Sequence, residues 1–217
     1  MPGARRRSSP SCSEVAVRPG RPDDVAAAAL VFDAAPDAYT RLAGSADRAR
    51  RIVRTLWARP GHSASFEHSL VAEIDGEVVG VLIGFPGRDR YRLHRALLLA
   101  SLRHLSPRRW PLLVAALPQI VLATPRPPRE AYYVGTIAVA AHARRRGVGS
   151  TLGDRVQIAA YERGFRLVAA HTGTRHGIAR RALERNGLRM RKARRKGYAL
   201  YVKPIAPPDL RQGPFSD

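Results

Sequence analysis

The chain has 217 residues, 38 Lys+Arg against 17 Asp+Glu for a formal net charge of +21, and one cysteine. A single thiol, Cys12, excludes a disulfide framework and any cysteine-based zinc site, and without a CxxC partner it points to a reducing, cytoplasmic setting. A hydrophobic content of 45% excludes a disordered chain. Only Lys192, Lys196 and Lys203 of the basic residues are lysines, a ratio that points to coding bias in a GC-rich genome as the main source of the charge. The charge still attracts phosphates of any kind.

Residues 1–13 carry Arg5, Arg6 and Arg7 and no apolar run, so they read as a disordered basic tail without the core of a signal peptide. Residues 15–17 form a short strand that Pro19 and Gly20 stop. Pro22, Asp23 and Asp24 then open a helix, since proline suits the first turn and acids suit the positive end of the helix dipole. A second helix over 46–58 places Ala49, Ile52, Val53, Leu56 and Trp57 at helical spacing. Extended runs at 68–74 and 78–85 are joined by Asp75-Gly76, a strong hairpin signal. A strand follows at 132–139, a helix at 149–163, a strand at 166–171, and a helix at 177–185 closed by Asn186-Gly187. A strand pair over 189–202 turns near Gly197, and residues 204–217 read as a second loose tail.

Residues 88–128 break this rhythm, because a short turn could join the strands on either side. Leu93, Leu97, Leu98, Leu102 and Leu105 predict one amphipathic helix, and residues 110–123 a second, interrupted by Pro111 and Pro118. A structureless loop of that length would be improbable, so the segment reads as a helical insertion. It either pads the core or forms an acceptor-pocket lid or homodimer surface. Its 14-residue apolar stretch falls short of the roughly 20 needed to span a bilayer, so no transmembrane segment is expected.

The informative chemistry follows the 132–139 strand. Ile137, Ala138 and Val139 run into Arg144, Arg145, Arg146, Gly147, Val148, Gly149 and Ser150, where a helix begins. Glycines let backbone N–H groups turn toward one point, and a helix N-terminus adds unpaired donors and partial positive charge. Together they make a diphosphate cradle. It is neither a Walker A loop, since GK[ST] is missing, nor a dinucleotide fingerprint, since GxGxxG does not occur.

A strand leading into [QR]-x-x-G-x-[GA] and a helix resembles motif A of the GNAT superfamily of acyl-CoA-dependent N-acetyltransferases. Arg144, Gly147 and Gly149 fill its fixed positions, and the order of elements over 15–203 is similar. The resemblance implies an α/β fold with a central twisted mixed sheet flanked by helices, occupying residues 14–203 as one domain. It implies acetyl-CoA as co-substrate, with no metal, and transfer of its acetyl group to an amine of a small molecule or protein. The coenzyme diphosphate would lie on the amides of Arg145 to Ser150, and the pantetheine arm along Ile137 and Val139, in a slot where this strand splays from the 166–171 strand.

Catalytic residues depart from the family pattern. In N-x-x-A-x-x-x-Y-x-x-x-G-F the Asn position is His176, the Ala position Ala179, and the Tyr position, a frequent general acid, is Leu183. His176 has two readings, a cofactor contact or a solvated histidine at a helix start. A coenzyme A thiol near pKa 8.5 leaves tolerably even without an acid. A base has more to do: an amine of pKa about 10.4 is neutral in roughly one molecule in 2,500 at pH 7, a penalty of about 4.6 kcal/mol. Family members often place a Glu at the positions of Tyr133 and Gly135. The remaining candidates are Glu67, Glu73, Glu130 and His171, and of Tyr132 and Tyr133 one should line the cleft and the other pack.

The run 180–196 holds nine Arg or Lys in 17 residues. It reads as a solvated helix face plus hairpin turn, or as a clamp on the coenzyme's 3′-phosphate. No zinc finger, RNP motif or aromatic platform accompanies it, so specific nucleic-acid binding is not expected. Two rivals to an N-acetyltransferase remain: an acyl-CoA-binding protein of this fold that has lost catalysis, and a polyanion-binding protein.

Overall fold

The computed structural model describes residues 14–115, 124–193 and 197–207. The expected 1–13 tail with Cys12, residues 116–123 of the 88–128 segment, the 194–196 turn and most of the 204–217 tail lie outside them. Among the described residues no helix is long and apolar enough to cross a membrane.

Seven strands form one mixed sheet in the order β1-β2-β3-β4-β5-β7-β6: β1 Ala16–Pro19, β2 Ser69–Ile74, β3 Glu77–Pro86, β4 Tyr132–Val139, β5 Leu167–Gly173, β6 Arg189–Ala193 and β7 Tyr198–Pro204. The helices are α1 Val25–Asp33, α2 Pro36–Ala43, α3 Ala46–Trp57, α4 Arg90–Leu102, α5 Val148–Glu162 and α6 Gly177–Arg185. Residues 110–115 are also helical. This is the α/β architecture expected from the order of elements, with three differences near the N-terminus.

The first strand runs to Pro19, because β1 is an edge strand and a proline there removes no ladder bond from a neighbour. The first helix starts at Val25, three residues later than Pro22 suggested. Asp24 stays outside it because its carboxylate takes the Arg21 N–H at 2.7 Å and the Arg18 guanidinium at 2.7 Å. Helix α2, absent from the sequence reading, carries its own punctuation: Pro36 in the first turn, and Gly44 beyond the last turn with φ +97°.

Strand alternation sorts the core into two layers. Val71, Val81, Ile83, Phe85, Tyr133, Ala169 and Leu200 face α1, α3 and α4, with Ala28, Val31, Trp57 and Leu93 opposite. Ala72, Val79, Leu82, Tyr132, Val134, Val168 and Tyr201 face the other way, against Val148, Leu152 and Val156 of α5. The second tyrosine of β4 therefore belongs to the α1–α4 side, and the first to the α5 side. Tyr132 donates its hydroxyl to the Gly84 carbonyl at 2.8 Å and packs edge-on against Phe165.

In the segment between β3 and β4, Leu93 of α4 is 1% exposed whereas Leu99 is 50% exposed. Leu93→Ala should therefore cost about 2–5 kcal/mol of unfolding free energy, the range for an emptied core site. Leu99→Ala should cost under about 0.5 kcal/mol. Urea titration of the two variants measures both.

Candidate active site

Strands β4 and β5 run parallel but pair over only three positions, Tyr132–Val168, Tyr133–Ala169 and Val134–Ala170. Beyond them β4 continues to Val139, bonded to β3 alone. Gly135 is an extra residue in that ladder, since Gly84 faces Val134 and Ile83 faces Thr136. A bulge of this kind bends the strand that carries it, and here it sits at the point where the strands part. The β5-facing edge of 135–139 is thus left open, and Ile137 is 43% exposed on it.

The open edge ends at the glycine-bearing loop. Arg145 and Gly147 take left-handed conformations, φ 64° and 83°, which turn successive amides inward as in an anion-binding nest. Ser150 and Thr151 donate their N–H groups to the Gly147 carbonyl at 2.9 and 3.0 Å, closing the first turn of α5. Among the described residues the N–H groups of Arg145, Arg146, Gly147, Val148 and Gly149 have no acceptor. A Cβ added at Gly147 would meet nothing within 4 Å, and at Gly149 only Val139 Cγ2 at 3.9 Å. Ala143 and Val148 are buried and anchor the loop on both sides. Arg144, Arg145 and Arg146 are exposed, with Arg144 Nε bonded to the Val139 carbonyl at 3.3 Å. Free amides, missing side chains and guanidinium charge suit this loop to a diphosphate.

At the other end of the slot, Tyr133 and His171 meet. His171 Nδ1 lies 3.2 Å from the Tyr133 hydroxyl. Arg90 of α4 stands over the Tyr133 ring at 5.5 Å, and Phe85 packs against Tyr133, His94 and His68. His171 Nε2 is buried without a hydrogen-bond partner, although the Pro125 carbonyl lies near enough to favour the protonated ring. Burial, helped by Arg90 and His94, pulls the His171 imidazolium down to about 4. Burial and Arg90 do the same to His94, also to about 4. Burial pushes the Tyr133 phenol up, only partly offset by Arg90. At pH 7 the pair is a neutral imidazole and a protonated phenol.

The other candidates lie apart. Glu67 accepts the Gly61 N–H at 2.7 Å and sits 3.0 Å from His68 Nε2, with Phe85 between that histidine and Tyr133. Glu73 is held by Arg18 at 2.6 Å on β2, two strands from the slot. Glu130 borders a groove with Arg126, Arg191, Lys192 and Leu200, the strand partner of His171. His176 is exposed just before α6, beyond the end of β5. Leu183, in the position of the usual tyrosine, is partly buried against the α5-side core. Sequence reading missed Arg90 and His94, which a helical heptad pattern hides among leucines. Among the described residues no group of three or more His, Cys, Asp or Glu could hold a metal ion.

A profile of the acetyltransferase (GNAT) family matches residues 31–188, well over half the chain. The chain belongs to the GNAT family. A solved structure described as an acetyltransferase shares 21% identity at TM-score 0.68, over 88% of this chain and 100% of its own. An N-acetyltransferase from Staphylococcus aureus Mu50 shares 18% at 0.63, over 87% and 100%. An acetyltransferase from Thermus thermophilus shares 18% at 0.52, over 88% and 97%. At these identities the likeness is one of fold. A search of curated proteins found no match. GNAT membership implies acyl transfer from acetyl-CoA, and the open β4 edge and free amides fit that co-substrate.

The neutral histidines make stability depend on pH. Each has an ordinary value of 6.5 in the unfolded chain and about 4 in the folded one. Between these values the unfolded chain binds more protons, so the contribution is complete above about pH 6.5 and is lost as pH falls toward 4. The shifts correspond to about 3 kcal/mol each. Urea midpoints should fall steeply over this interval, and His94→Gln should flatten the slope only in part, since burial also lowers His62 and His68.

Proposed function

We propose that the protein transfers the acetyl group of acetyl-CoA to a primary amine, by direct attack of the amine within a ternary complex. The observation that carries this reading is the continuity of one surface. An unpaired strand edge runs from a buried tyrosine–histidine pair at one end to five unpartnered amides at the other. The span from Val134 to Val139 is about 16 Å at a strand's rise per residue, which suits an extended, amide-bearing arm.

Each part of the chain has a task. The amides of Arg145 to Gly149 hold the diphosphate, and Arg144, Arg145 and Arg146 add unspecific attraction. The edge of Ile137, Ala138 and Val139 offers N–H and C=O groups to the pantetheine amides, as a lost strand neighbour would. Ser150 lies at the end of the cradle. The thioester, when bound, supplies an acyl carbon whose leaving thiolate is already a weak base.

Proton movement falls to Tyr133 and His171. With the proton of the neutral imidazole on Nε2, Nδ1 is free to accept from the Tyr133 hydroxyl. Tyr133 can then take a proton from the incoming amine while passing its own to Nδ1, or give one to the departing sulfur. Burial keeps the His171 imidazole neutral at rest, so its ring nitrogen stays available as an acceptor. Glu67 is the weaker candidate, since Phe85 separates its partner His68 from Tyr133.

Free-thiol release from acetyl-CoA with a panel of primary amines tests the activity. Binding without turnover of any amine would favour the rival reading of an acyl-CoA-binding protein. Gly149→Asp places a carboxylate in the cradle. It meets no steric obstacle, and an acid in the first helical turn is stabilising. Acetyl-CoA affinity by calorimetry should drop at least 10-fold with the thermal midpoint unchanged. Tyr133→Phe should lower kcat by about 100-fold, the usual share of a positioned proton donor, with acetyl-CoA affinity unchanged.

A further inference from the structure

An open groove of about 410 Å³ lies between the chain leading into β4 and the β6–β7 hairpin, lined by Arg126, Pro128, Glu130, Arg191, Lys192 and Leu200. It has the size of a small-molecule site. Two of its walls adjoin the Tyr133–His171 pair. Leu200 is the strand partner of His171 and shares a core layer with Tyr133. Arg126 follows Pro125, whose carbonyl lies against the His171 ring.

The cavity's charge depends on a strand irregularity. Adjacent strand residues ordinarily point to opposite faces, yet Arg191 and Lys192 both line it. The β6–β7 ladder passes from Met190–Tyr201 to Lys192–Leu200, with Arg191 as an extra residue. This bulge re-aims the side chains. Among the described residues Arg126, Arg191, Lys192 and Glu130 form no hydrogen bond or ion pair with their side chains. Three unneutralised cations around one small volume favour an anion there, and the single carboxylate complements an ammonium. The coenzyme's diphosphate is served elsewhere, by the loop at the far end of β4.

We infer that the acceptor is a small amine that also carries an anionic group, a carboxylate or a phosphate, held by Arg126, Arg191 and Lys192 beside the Tyr133–His171 pair. This rests on the acetyl-transfer reading above and specifies its substrate class. Arg191 and Lys192 are exposed on an edge strand, so substituting them leaves the core untouched.

The test compares O-phosphoethanolamine and 4-aminobutyrate with ethanolamine and butylamine as acceptors, for the wild type and for Arg191→Glu, Lys192→Glu and the exposed control Arg59→Glu. An amine that carries the anionic group should be used at least 10-fold better in kcat/KM than its counterpart without it, and the phosphate and carboxylate arms identify which anion is preferred. Arg191→Glu and Lys192→Glu should erase that preference through KM, a loss of 10- to 100-fold, the scale of a charged hydrogen bond. Acetyl-CoA affinity should hold, and Arg59→Glu should change nothing. Equal use of amines with and without the anionic group overturns the inference while leaving acetyl transfer standing. So does an equal effect of Arg59→Glu, which would be general attraction, or a loss of acetyl-CoA affinity in Arg191→Glu, which would give the cations to the coenzyme. If no amine is turned over, the acetyl-transfer reading fails instead. Calorimetry of O-phosphoethanolamine with the coenzyme A-loaded protein then decides the cavity: binding weakened by Arg191→Glu supports an anion site, and no binding, or binding indifferent to that change, overturns it.

Discussion

Two parallel strands that pair for three residues and then part are the constraint on which this molecule turns. A strand edge left open inside a sheet carries N–H and C=O groups that ordinarily find a partner. The fold accepts this opening because the bulge at Gly135 bends β4 away while β3 keeps its other edge bonded as far as Val139. On the far side β5 is held by β7 along its whole length, Leu167 through Gly173. The sheet stays continuous around the gap, and the two core layers on its faces are not interrupted.

The two ends of the gap are electrostatically unlike. At the C-terminal end of β4 the backbone presents unpaired N–H groups, and positive φ at Arg145 and Gly147 turns them inward. Glycine at 147 and 149 matters there because of what it lacks, since a Cβ at either position faces open space where a ligand would lie. At the other end the chain has buried imidazoles among guanidinium groups. His94 and His171 are kept neutral by burial first and by Arg90 second. In a chain of net charge +21, a histidine that stays uncharged at neutral pH avoids adding to self-repulsion and retains a lone pair for proton transfer.

Segment 87–131 links these features. It leaves the sheet after β3 and returns into β4, so it emerges at the end opposite the amide cradle. Through Arg90 of α4 it covers Tyr133, through His94 it packs on Phe85, and through Pro125 it reaches His171. Leu93 fastens it to the core. For 88–128 the sequence reading weighs core padding against an acceptor-pocket lid or dimer surface; among the described residues Leu93 packs into the core and Arg90 lies over Tyr133.

Local patterns settled much of this in advance. The bounds of β4 and α6, the Asp75-Gly76 hairpin and the strand–loop–helix at 132–163 follow from side-chain alternation, turn chemistry and glycine spacing, which act within a few residues. Helix α2 was equally local, marked by Pro36 and Gly44, and was overlooked beside longer periodic runs. The glycine-bearing loop at 144–150 was legible for the same reason, because its backbone conformation is written in its own glycines. What joins distant residues was not legible. That Tyr133 meets His171 depends on β5 lying parallel to β4 with a particular register, 38 positions away in sequence. That Glu73 is tied to Arg18, or that Arg191 and Lys192 share a cavity with Arg126, depends equally on pairing and bulges across strands. A sequence states which residues can bond and titrate; only the packed sheet decides which of them are brought within 4 Å of one another and out of reach of water.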